Sequence, residues 1–289
     1  MRAAGGLDRA PSGVLVVAAI ASVQFGAAIA ATLFARVGPG GAVLLRLAAA
    51  AIVLGALWRP RVKGHSRLQR RLVCAFGIVL AGMNLSFYEA VHRIPLGIAV
   101  AVEFVGPLTV AVAGSRRRLD LLWILLAVAG IVALTRGRAH GIDAAGLLFA
   151  LGAGALWGCY IVLNARLGRE FEGSSGLTLA MMIAALLAIP VGIADGGAHL
   201  LEVRSLLLGG AVGLLSSAIP YSFELEALRR IEPSVFGVLM SLEPAVAALA
   251  GLTVLGQGLS ARALLGIALV VAASIGASRR VAVSDVAVP

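Results

Sequence analysis

Two glutamates lie in the middle of long apolar runs, each close to a proline. Glu103 precedes Pro107 by four residues in "AVAVEFVGPLTVAVAG", and Glu243 directly precedes Pro244. An ionised carboxylate at the centre of a membrane-spanning helix costs roughly 2.5–3.5 kcal/mol, so such residues usually bind a cation or exchange a proton. We interpret both glutamates as lining a polar cavity. The alternative is a kinked helix whose glutamate is protonated and buried for packing.

The two prolines predict a disturbance in each apolar run. Proline has no backbone N–H, so Pro107 leaves the carbonyl of Glu103 without its helical partner, and Pro244 does the same to Met240. At membrane depth an unpaired backbone group is tolerated only inside protein or beside water. We therefore expect each run to place a freed carbonyl and a carboxylate within about one helical turn.

Arg46 also stands within an apolar run, "GAVLLRLAAA". Its side chain could reach the nearer membrane surface, or it could pair with a membrane carboxylate or a substrate carboxylate. Five other polar or aromatic residues lie in the apolar runs, namely Gln24, Asn84, Tyr88, Trp157 and Tyr160. They could form contacts between helices, anchor the chain at the membrane surface or bind a substrate. Three further glutamates lie beside arginines near the ends of apolar runs, and we interpret them as interfacial, with a role in gating as the alternative; they are Glu89, Glu224 and Glu226.

Composition places these residues in a membrane protein. The 289-residue chain is 60% hydrophobic and 13% charged, with a mean hydropathy of +1.01, whereas a soluble domain has roughly 25% charged residues. The net charge of +10 falls in short arginine clusters between apolar runs. That pattern is typical of membrane topology signals and argues against a nucleic-acid-binding face.

Runs of about 20 apolar residues are long enough to cross a bilayer as helices. They predict an all-α membrane protein with ten transmembrane helices, at 14–35, 40–58, 72–91, 96–115, 119–136, 144–164, 175–194, 205–228, 233–254 and 261–278. With both termini cytoplasmic, 17 Lys and Arg lie in inner segments and six in outer loops. This distribution fits the positive-inside rule.

A weak internal repeat divides the chain. "SFYEAVHRIPLG" at 86–97 matches "SFELEALRRIEPS" at 222–234, and an offset of 137 residues aligns Pro107 with Pro244. Each half then holds five helices, an odd number, so the halves enter the membrane in opposite senses, as in many transporters. We predict inverted five-helix repeats over 1–140 and 141–280, and a short cytoplasmic tail over 281–289.

Motifs for catalysis or phosphate binding are absent from the sequence, which has no nucleophile elbow, P-loop or His-Glu-x-x-His. The two cysteines lie in apolar runs and show no metal-binding or disulfide spacing. We therefore predict neither an enzyme nor a metal site nor a bound cofactor.

Several stretches resemble the drug/metabolite transporter superfamily, and within it the EamA-type exporters. They include "ASVQFGAAIAATLFARVG", "GMNLSFYEAVHRIPLGIAVAVEFVGPL", "SSAIPYSFELEALRRI" and "GVLMSLEPAVAALAG", and the resemblance covers nearly all of 12–280. The group most similar to the chain is the threonine/homoserine exporters of the bacterial inner membrane.

The resemblance implies export of small amino acids or related metabolites across that membrane, by proton antiport with alternating access. It implies a central cavity with substrate-binding residues Gln24, Arg46, Asn84, Tyr88, Glu103, Trp157, Tyr160 and Glu243. Glu103 or Glu243 would exchange the proton. The expected partners are a small-molecule substrate, protons and the lipid bilayer, with no nucleic acid and no predicted oligomeric state. A broader drug/metabolite efflux transporter is the alternative, and an intramembrane enzyme acting on lipid is a remote one.

Overall fold

The computed structural model describes residues 11–61, 64–113, 120–135, 143–171, 175–228, 230–231 and 233–285. These residues form helices and connecting turns, with no β-strand among them, which confirms the all-α prediction for this part of the chain. The α-helices are α1 (Ser12–Ala31), α2 (Phe34–Trp58), α3 (Arg67–Arg93), α4 (Leu96–Glu103), α5 (Val105–Ala113), α6 (Asp120–Thr135), α7 (Ala144–Glu170), α8 (Ser175–Gly196), α9 (Val203–Gly213), α10 (Ile219–Leu228), α11 (Pro233–Met240), α12 (Glu243–Leu255) and α13 (Ala261–Asp285).

Six helical segments of the described residues are long and apolar enough to cross a membrane, and they are Ser12–Ala31, Phe34–Trp58, Arg67–Arg93, Ala144–Glu170, Ser175–Leu201 and Val235–Leu255. Four apolar helices are shorter, namely Leu96–Val110, Leu125–Leu134, Val203–Ser217 and Ala261–Gly276. A multi-pass membrane protein is therefore the class that fits. Each predicted span coincides with one of these segments, and a crossing by all ten stays a prediction.

Two predicted spans are interrupted near their centres. Phe104 separates α4 from α5, and Ser241 and Leu242 separate α11 from α12. Helices α4 and α11 are both eight residues long and begin at Leu96 and Pro233. Because these starts differ by 137 residues, the two interruptions fall at matching positions of the proposed repeat.

A third span departs from the prediction of one regular helix over 205–228. A π-helical segment, Leu214–Ala218, joins α9 to α10. The Ser22 hydroxyl of α1 donates a hydrogen bond of 2.6 Å to the carbonyl oxygen of Leu215 in this segment. Short π segments widen a helix locally and are frequent at functional sites.

Glycines let two pairs of helices approach closely. A Cβ on Gly154 of α7 would lie 2.5 Å from the carbonyl oxygen of Glu103 at the end of α4. In the same way, a Cβ on Gly130 of α6 would lie 2.8 Å from the carbonyl oxygen of Gly266 in α13. Residues of this size allow backbone-to-backbone packing in a membrane bundle.

Hydrogen bonds between distant helices tie together one end of the bundle, which carries the α1–α2, α3–α4, α8–α9 and α12–α13 connections and is called here the α1–α2 end. The Gly40 N–H of α2 donates to Asp195 Oδ2 of α8 at 2.8 Å. The Leu96 N–H at the start of α4 donates to Gln257 Oε1 at 3.0 Å. Each bond joins one proposed half to the other.

An ion-pair cluster lies at the same end. Arg36 Nε lies 2.7 Å from Glu202 Oε2, and His199 Nδ1 lies 2.6 Å from Glu202 Oε1. The hydrogen bond with His199, together with the charge of Arg36, lowers the pKa of Glu202 below its usual range. Glu202 lies in the α8–α9 connection, outside the predicted spans.

Orientation and repeat boundaries stay predictions. Several residues counted for orientation lie outside the described residues, namely Arg2, Arg9, Lys63, Arg116, Arg117, Arg118, Arg136, Arg138 and Arg229. Helix α13 continues to Asp285, so the first residues of the predicted tail over 281–289 are helical.

Candidate functional site

A cavity of about 460 Å³ lies where the interrupted helices face α1, α2, α3 and α7. Seven of the eight residues expected to bind substrate line it, namely Gln24, Arg46, Asn84, Glu103, Trp157, Tyr160 and Glu243. Pro107 lines it as well, whereas Tyr88 and Pro244 are buried behind its wall. Residues far apart in the sequence are thus brought to one place.

The two glutamates stand at the two interruptions. Glu103 is the last residue of α4 and Glu243 is the first residue of α12. Their exposed fractions are 8% and 6%, so each carboxyl group is largely removed from solvent. Glu243 lies at the positive end of the α12 dipole, which favours a negative charge there.

The prolines begin helices rather than bend continuous ones. Pro107 is the third residue of α5 and Pro244 is the second residue of α12. In a first helical turn the backbone N–H has no intrahelical partner, so proline is well tolerated there.

The freed carbonyl of Glu103 is packed against α7. Its oxygen lies so close to Gly154 that a Cβ there would be 2.5 Å away. The oxygen that the sequence offered as a possible ligand is therefore covered on one side by a helix. The carboxylate of Glu103 stays in the cavity wall, which leaves it as the more accessible group.

Arg46 reaches into the cavity instead of extending to the membrane surface. Its Nη1 donates to the Tyr88 hydroxyl at 3.3 Å, and its guanidinium carbon lies 5.6 Å from the centre of the Tyr88 ring. Arg46 also interacts electrostatically with Glu103. The Nε atom of Arg46 is buried and has no protein partner, so the guanidinium retains a donor for a ligand.

Tyr88 supports this arginine from behind. It is 1% exposed and packs between Phe34 and Phe87, with ring centroids 5.6 and 5.9 Å from its own. Packing against these two tilted rings restricts the Tyr88 side chain, whose hydroxyl accepts the hydrogen bond from Arg46. Tyr88 does not line the cavity, and its contacts with Arg46 place it to position that arginine.

Polar groups on α1, α3 and the π segment complete one wall. Gln24 Oε1 and the Ser216 hydroxyl are buried without a protein partner. Asn84 donates to the Leu80 carbonyl at 2.8 Å through its Nδ2, which leaves its carbonyl oxygen as an acceptor. Buried polar atoms are normally hydrogen-bonded, so Gln24 and Ser216 indicate a polar ligand or water.

Aromatic side chains form the facing wall. The rings of Trp157 and Phe104 meet edge to face at 5.2 Å, and Tyr160 stacks on Phe76 at 5.0 Å. Paired rings of this kind are well fixed. They add apolar surface to a cavity that also contains charged side chains.

Sequence reasoning missed Glu224, which it interpreted as interfacial. Glu224 of α10 lines the cavity, so that interpretation is wrong. The available signal was the position of Glu224 four residues after Pro220 and close to Ser216 and Ser217, since these residues predict an irregular, polar helix face. Asn164, Phe236, Met240 and Ser274 also line the cavity without having been singled out.

Metal binding finds no support in the part of the chain that the structure describes. No three His, Cys, Asp or Glu residues in it are grouped so that they could hold a metal ion.

Comparison with known proteins identifies close relatives. Residues 144–279 match the EamA-like transporter family. The threonine/homoserine exporter RhtA of Escherichia coli (strain K12) is 41% identical over 268 residues, 92% of this chain and 90% of the relative. The threonine/homoserine exporter RhtA of Salmonella typhimurium (strain LT2) is 40% identical over the same shares.

A solved structure has the same overall arrangement. The chain of this crystal structure is 18% identical in sequence to the present chain and superposes on it with a TM-score of 0.64. The match covers 96% of the present chain and 99% of the other chain. At that identity the similarity shows the fold alone.

Proposed function

The chain belongs to the EamA-type transporters, and from that premise we propose that it exports threonine, homoserine or similar small amino acids. Membership makes it a multi-pass transporter of the bacterial inner membrane, and it rules out the remote alternative of a lipid-acting enzyme. The observation that carries the proposed substrate class is the 41% identity to the E. coli threonine/homoserine exporter over 92% of the chain.

The cavity chemistry supports an amino-acid substrate. A zwitterion carries a carboxylate and an ammonium group, and the described cavity lining offers a guanidinium at Arg46 and carboxylates at Glu103 and Glu243. Arginine binds carboxylates through paired N–H donors. The unpartnered Gln24 and Ser216 are suited to a side-chain hydroxyl, which threonine and homoserine both have.

Proton antiport is the proposed energy source. Glu103 and Glu243 are both largely buried, and buried carboxylates in membrane transporters commonly serve as proton carriers. Competition between a proton and the substrate for the same carboxylate would couple the two fluxes. Glu103 is proposed as the principal coupling residue because Arg46 interacts with it, so its charge state affects the substrate carboxylate site.

The proposed mechanism is alternating access between two inverted five-helix repeats with cytoplasmic termini. Support comes from the matching interruptions of α4–α5 and α11–α12 at an offset of 137 residues. Transporters of this architecture bind substrate at the repeat interface near the middle of the membrane. The cavity at both interruptions is consistent with that location.

The test is homoserine efflux from vesicles that contain the full chain, with and without an imposed pH gradient. Glu103→Gln and Glu243→Gln should each reduce gradient-driven efflux. Glu170→Gln, the same change at an exposed residue, is the matched control and should transport normally. Full gradient-driven efflux by both cavity variants would contradict the coupling assignment.

A broader efflux transporter is the second candidate, and it is favoured by the aromatic side chains of the cavity lining, such as Trp157, Phe104 and Phe236. Growth of a deletion strain separates the two proposals. Sensitivity to toxic amino-acid analogues supports amino-acid export, whereas sensitivity to cationic dyes supports broad efflux.

A further inference from the structure

The charges of the cavity are unevenly distributed. Among the described residues that line it, Arg46 is the cation, and the carboxylates are Glu103, Glu224 and Glu243. Arg46 interacts with Glu103. Glu243 instead interacts with two like charges, Glu224 and Glu103. The side of the cavity formed by α10 and α12 therefore contributes two carboxyl groups to the lining, Glu224 and Glu243, and the lining arginine belongs to α2.

Glu224 is placed for a ligand by the irregular backbone before it. It lies in the second turn of α10, after the π segment that holds Ser216. A π turn rotates the following residues relative to a regular helix. Both Ser216 and Glu224 line the cavity, and the unpartnered Ser216 hydroxyl is a second polar group directed to the same space.

We propose that Glu224, together with Glu243, binds the ammonium group of the transported amino acid, while Arg46 binds its carboxylate at the opposite side. This inference rests on the proposed function and assigns to Glu224 a specificity role. In this arrangement each charged group of the substrate contacts wall residues of the opposite charge type. Compounds that lack the ammonium group are therefore discriminated against.

The physical reason is repulsion between carboxylates at low dielectric. Two nearby carboxylates in a poorly solvated site disfavour each other's ionised form, and an organic ammonium that bridges them relieves the repulsion while donating up to three hydrogen bonds. Tyr160 and Glu103 are the other titratable groups that line the cavity among the described residues. Glu103 interacts electrostatically with Arg46, so the proposal assigns Glu224 and Glu243 to the ammonium group.

Binding to the purified full chain in detergent tests the inference with three probes. L-Homoserine carries both charges, aminopropanol keeps only the ammonium group, and the hydroxy acid that corresponds to homoserine keeps only the carboxylate. Thermal stabilisation as a function of probe concentration gives each apparent affinity. Wild-type chain should bind all three probes, homoserine most tightly and the hydroxy acid more weakly, through Arg46.

Glu224→Gln should weaken homoserine and aminopropanol by about tenfold or more and leave the hydroxy acid unchanged. Retained hydroxy-acid binding shows that the variant is folded, and Glu224→Asp, which keeps the charge, should restore part of the loss. Glu170→Gln should match wild type for all three probes.

Two results would overturn the inference. The first is wild-type affinity of Glu224→Gln for aminopropanol, and the second is an absence of aminopropanol binding to the wild-type chain. Homoserine efflux is measured separately in vesicles, so failure of the proposed function is distinguishable from failure of the ammonium assignment.

Discussion

Arg46 shows how one residue is prepared for a ligand. Tyr88 fixes the guanidinium from one side through a 3.3 Å hydrogen bond and ring contact, and Nε remains without a protein partner. Because the tyrosine supplies only one acceptor, the planar fork of the arginine keeps donors for a carboxylate. Lysine at this position would keep the charge and lose the fork.

Arg46→Lys should therefore raise the homoserine concentration needed for half-maximal efflux by about tenfold, the effect of losing one charge-assisted hydrogen bond. Tyr88→Phe should shift it in the same direction by less, because the ring contact remains. Arg262→Lys, at an exposed residue of α13, is the control. Equal values for Arg46→Lys and Arg262→Lys would show that Arg46 does not bind the substrate.

Glu202 predicts a pH-dependent contribution to stability. Its pKa is lowered in the folded chain by the hydrogen bond with His199 and by Arg36, so its charge stabilises the folded state above about pH 4.3, the ordinary value. That contribution is lost as the pH falls through the lowered pKa. Glu202→Gln should unfold at a lower temperature than wild type near pH 7, and the difference should shrink below about pH 4.

The measurement is thermal unfolding of both chains in detergent across this pH range, with Glu170→Gln as the control. A difference between Glu202→Gln and wild type that persists unchanged at the acid end would exclude the carboxylate charge as its origin.

At the scale of helices, the interruption after Glu103 depends on contact with α7. A Cβ on Gly154 would enter the space of the Glu103 carbonyl oxygen, whereas a Cβ on Gly168 of the same helix would meet nothing within 4 Å. The two glycines of α7 therefore have different roles. One permits packing, and the other only lowers helix propensity.

Gly154→Ala should destabilise the chain by about 1–3 kcal/mol, the usual effect of overpacking a core. Gly168→Ala should be neutral or stabilise by about 0.5–1 kcal/mol through helix propensity. Denaturant unfolding in mixed micelles measures both. Equal stability of the two variants would mean that the α4–α7 contact is looser than described.

The sequence predicted the helical segments well and their irregularities less well. Long apolar runs locate helices because hydrophobic length is a local property, and Pro107 and Pro244 correctly indicated the two interruptions. The π segment before Glu224 was not predicted, since its backbone geometry depends on Ser22 and Gly26 of a helix almost 200 residues away in the chain. For the same reason, Glu224 was assigned to the interface.

The site was predicted in composition but not in arrangement. Seven of the eight expected binding residues line one cavity, because polar groups in apolar runs have few other places to lie. The support of Arg46 by Tyr88 and the contact of the Glu103 carbonyl with Gly154 required tertiary structure. Neither is encoded in spacing along one helix.

For the whole molecule, the hydrogen bonds at the α1–α2 end join the two proposed halves. Asp195 accepts from Gly40, and Gln257 accepts from Leu96. Leu96 is the first residue of α4, and Gly40 follows Gly38, whose non-helical backbone (φ 66°) interrupts α2 near its start. Both donors therefore lie near the beginning of a regular helical stretch, where N–H groups lack intrahelical partners. Under the proposed alternating-access mechanism, this end opens only when these bonds break.

Gln257→Leu should therefore favour the state that is open at the α1–α2 end. Ser216→Cys, in a background with Cys74 and Cys159 replaced by serine, places a thiol in the cavity wall. A membrane-impermeant thiol reagent added from the side of the α1–α2 end should label it faster when Gln257→Leu is also present. Gln69→Leu, at the opposite end of α3, is the control. Equal labelling rates of Ser216→Cys with and without Gln257→Leu would contradict the closing role of Gln257.

The two interruptions match in position, but the acidic residues beside them do not. Glu103 is the last residue before the α4–α5 interruption and aligns with Met240 in the second half. Glu243 is the first residue after the α11–α12 interruption and aligns with Gly106 in the first half. Ancestral gene duplication followed by divergence would leave such a record, in which the backbone was copied and each acid arose separately. Under the proposed alternating access, an exchange of conformation between the two halves would not exchange the surroundings of the two acids, so the inward-open and outward-open states would not be mirror images. Such a cycle can have different substrate affinities on its two sides, while the imposed gradients set the net direction of transport.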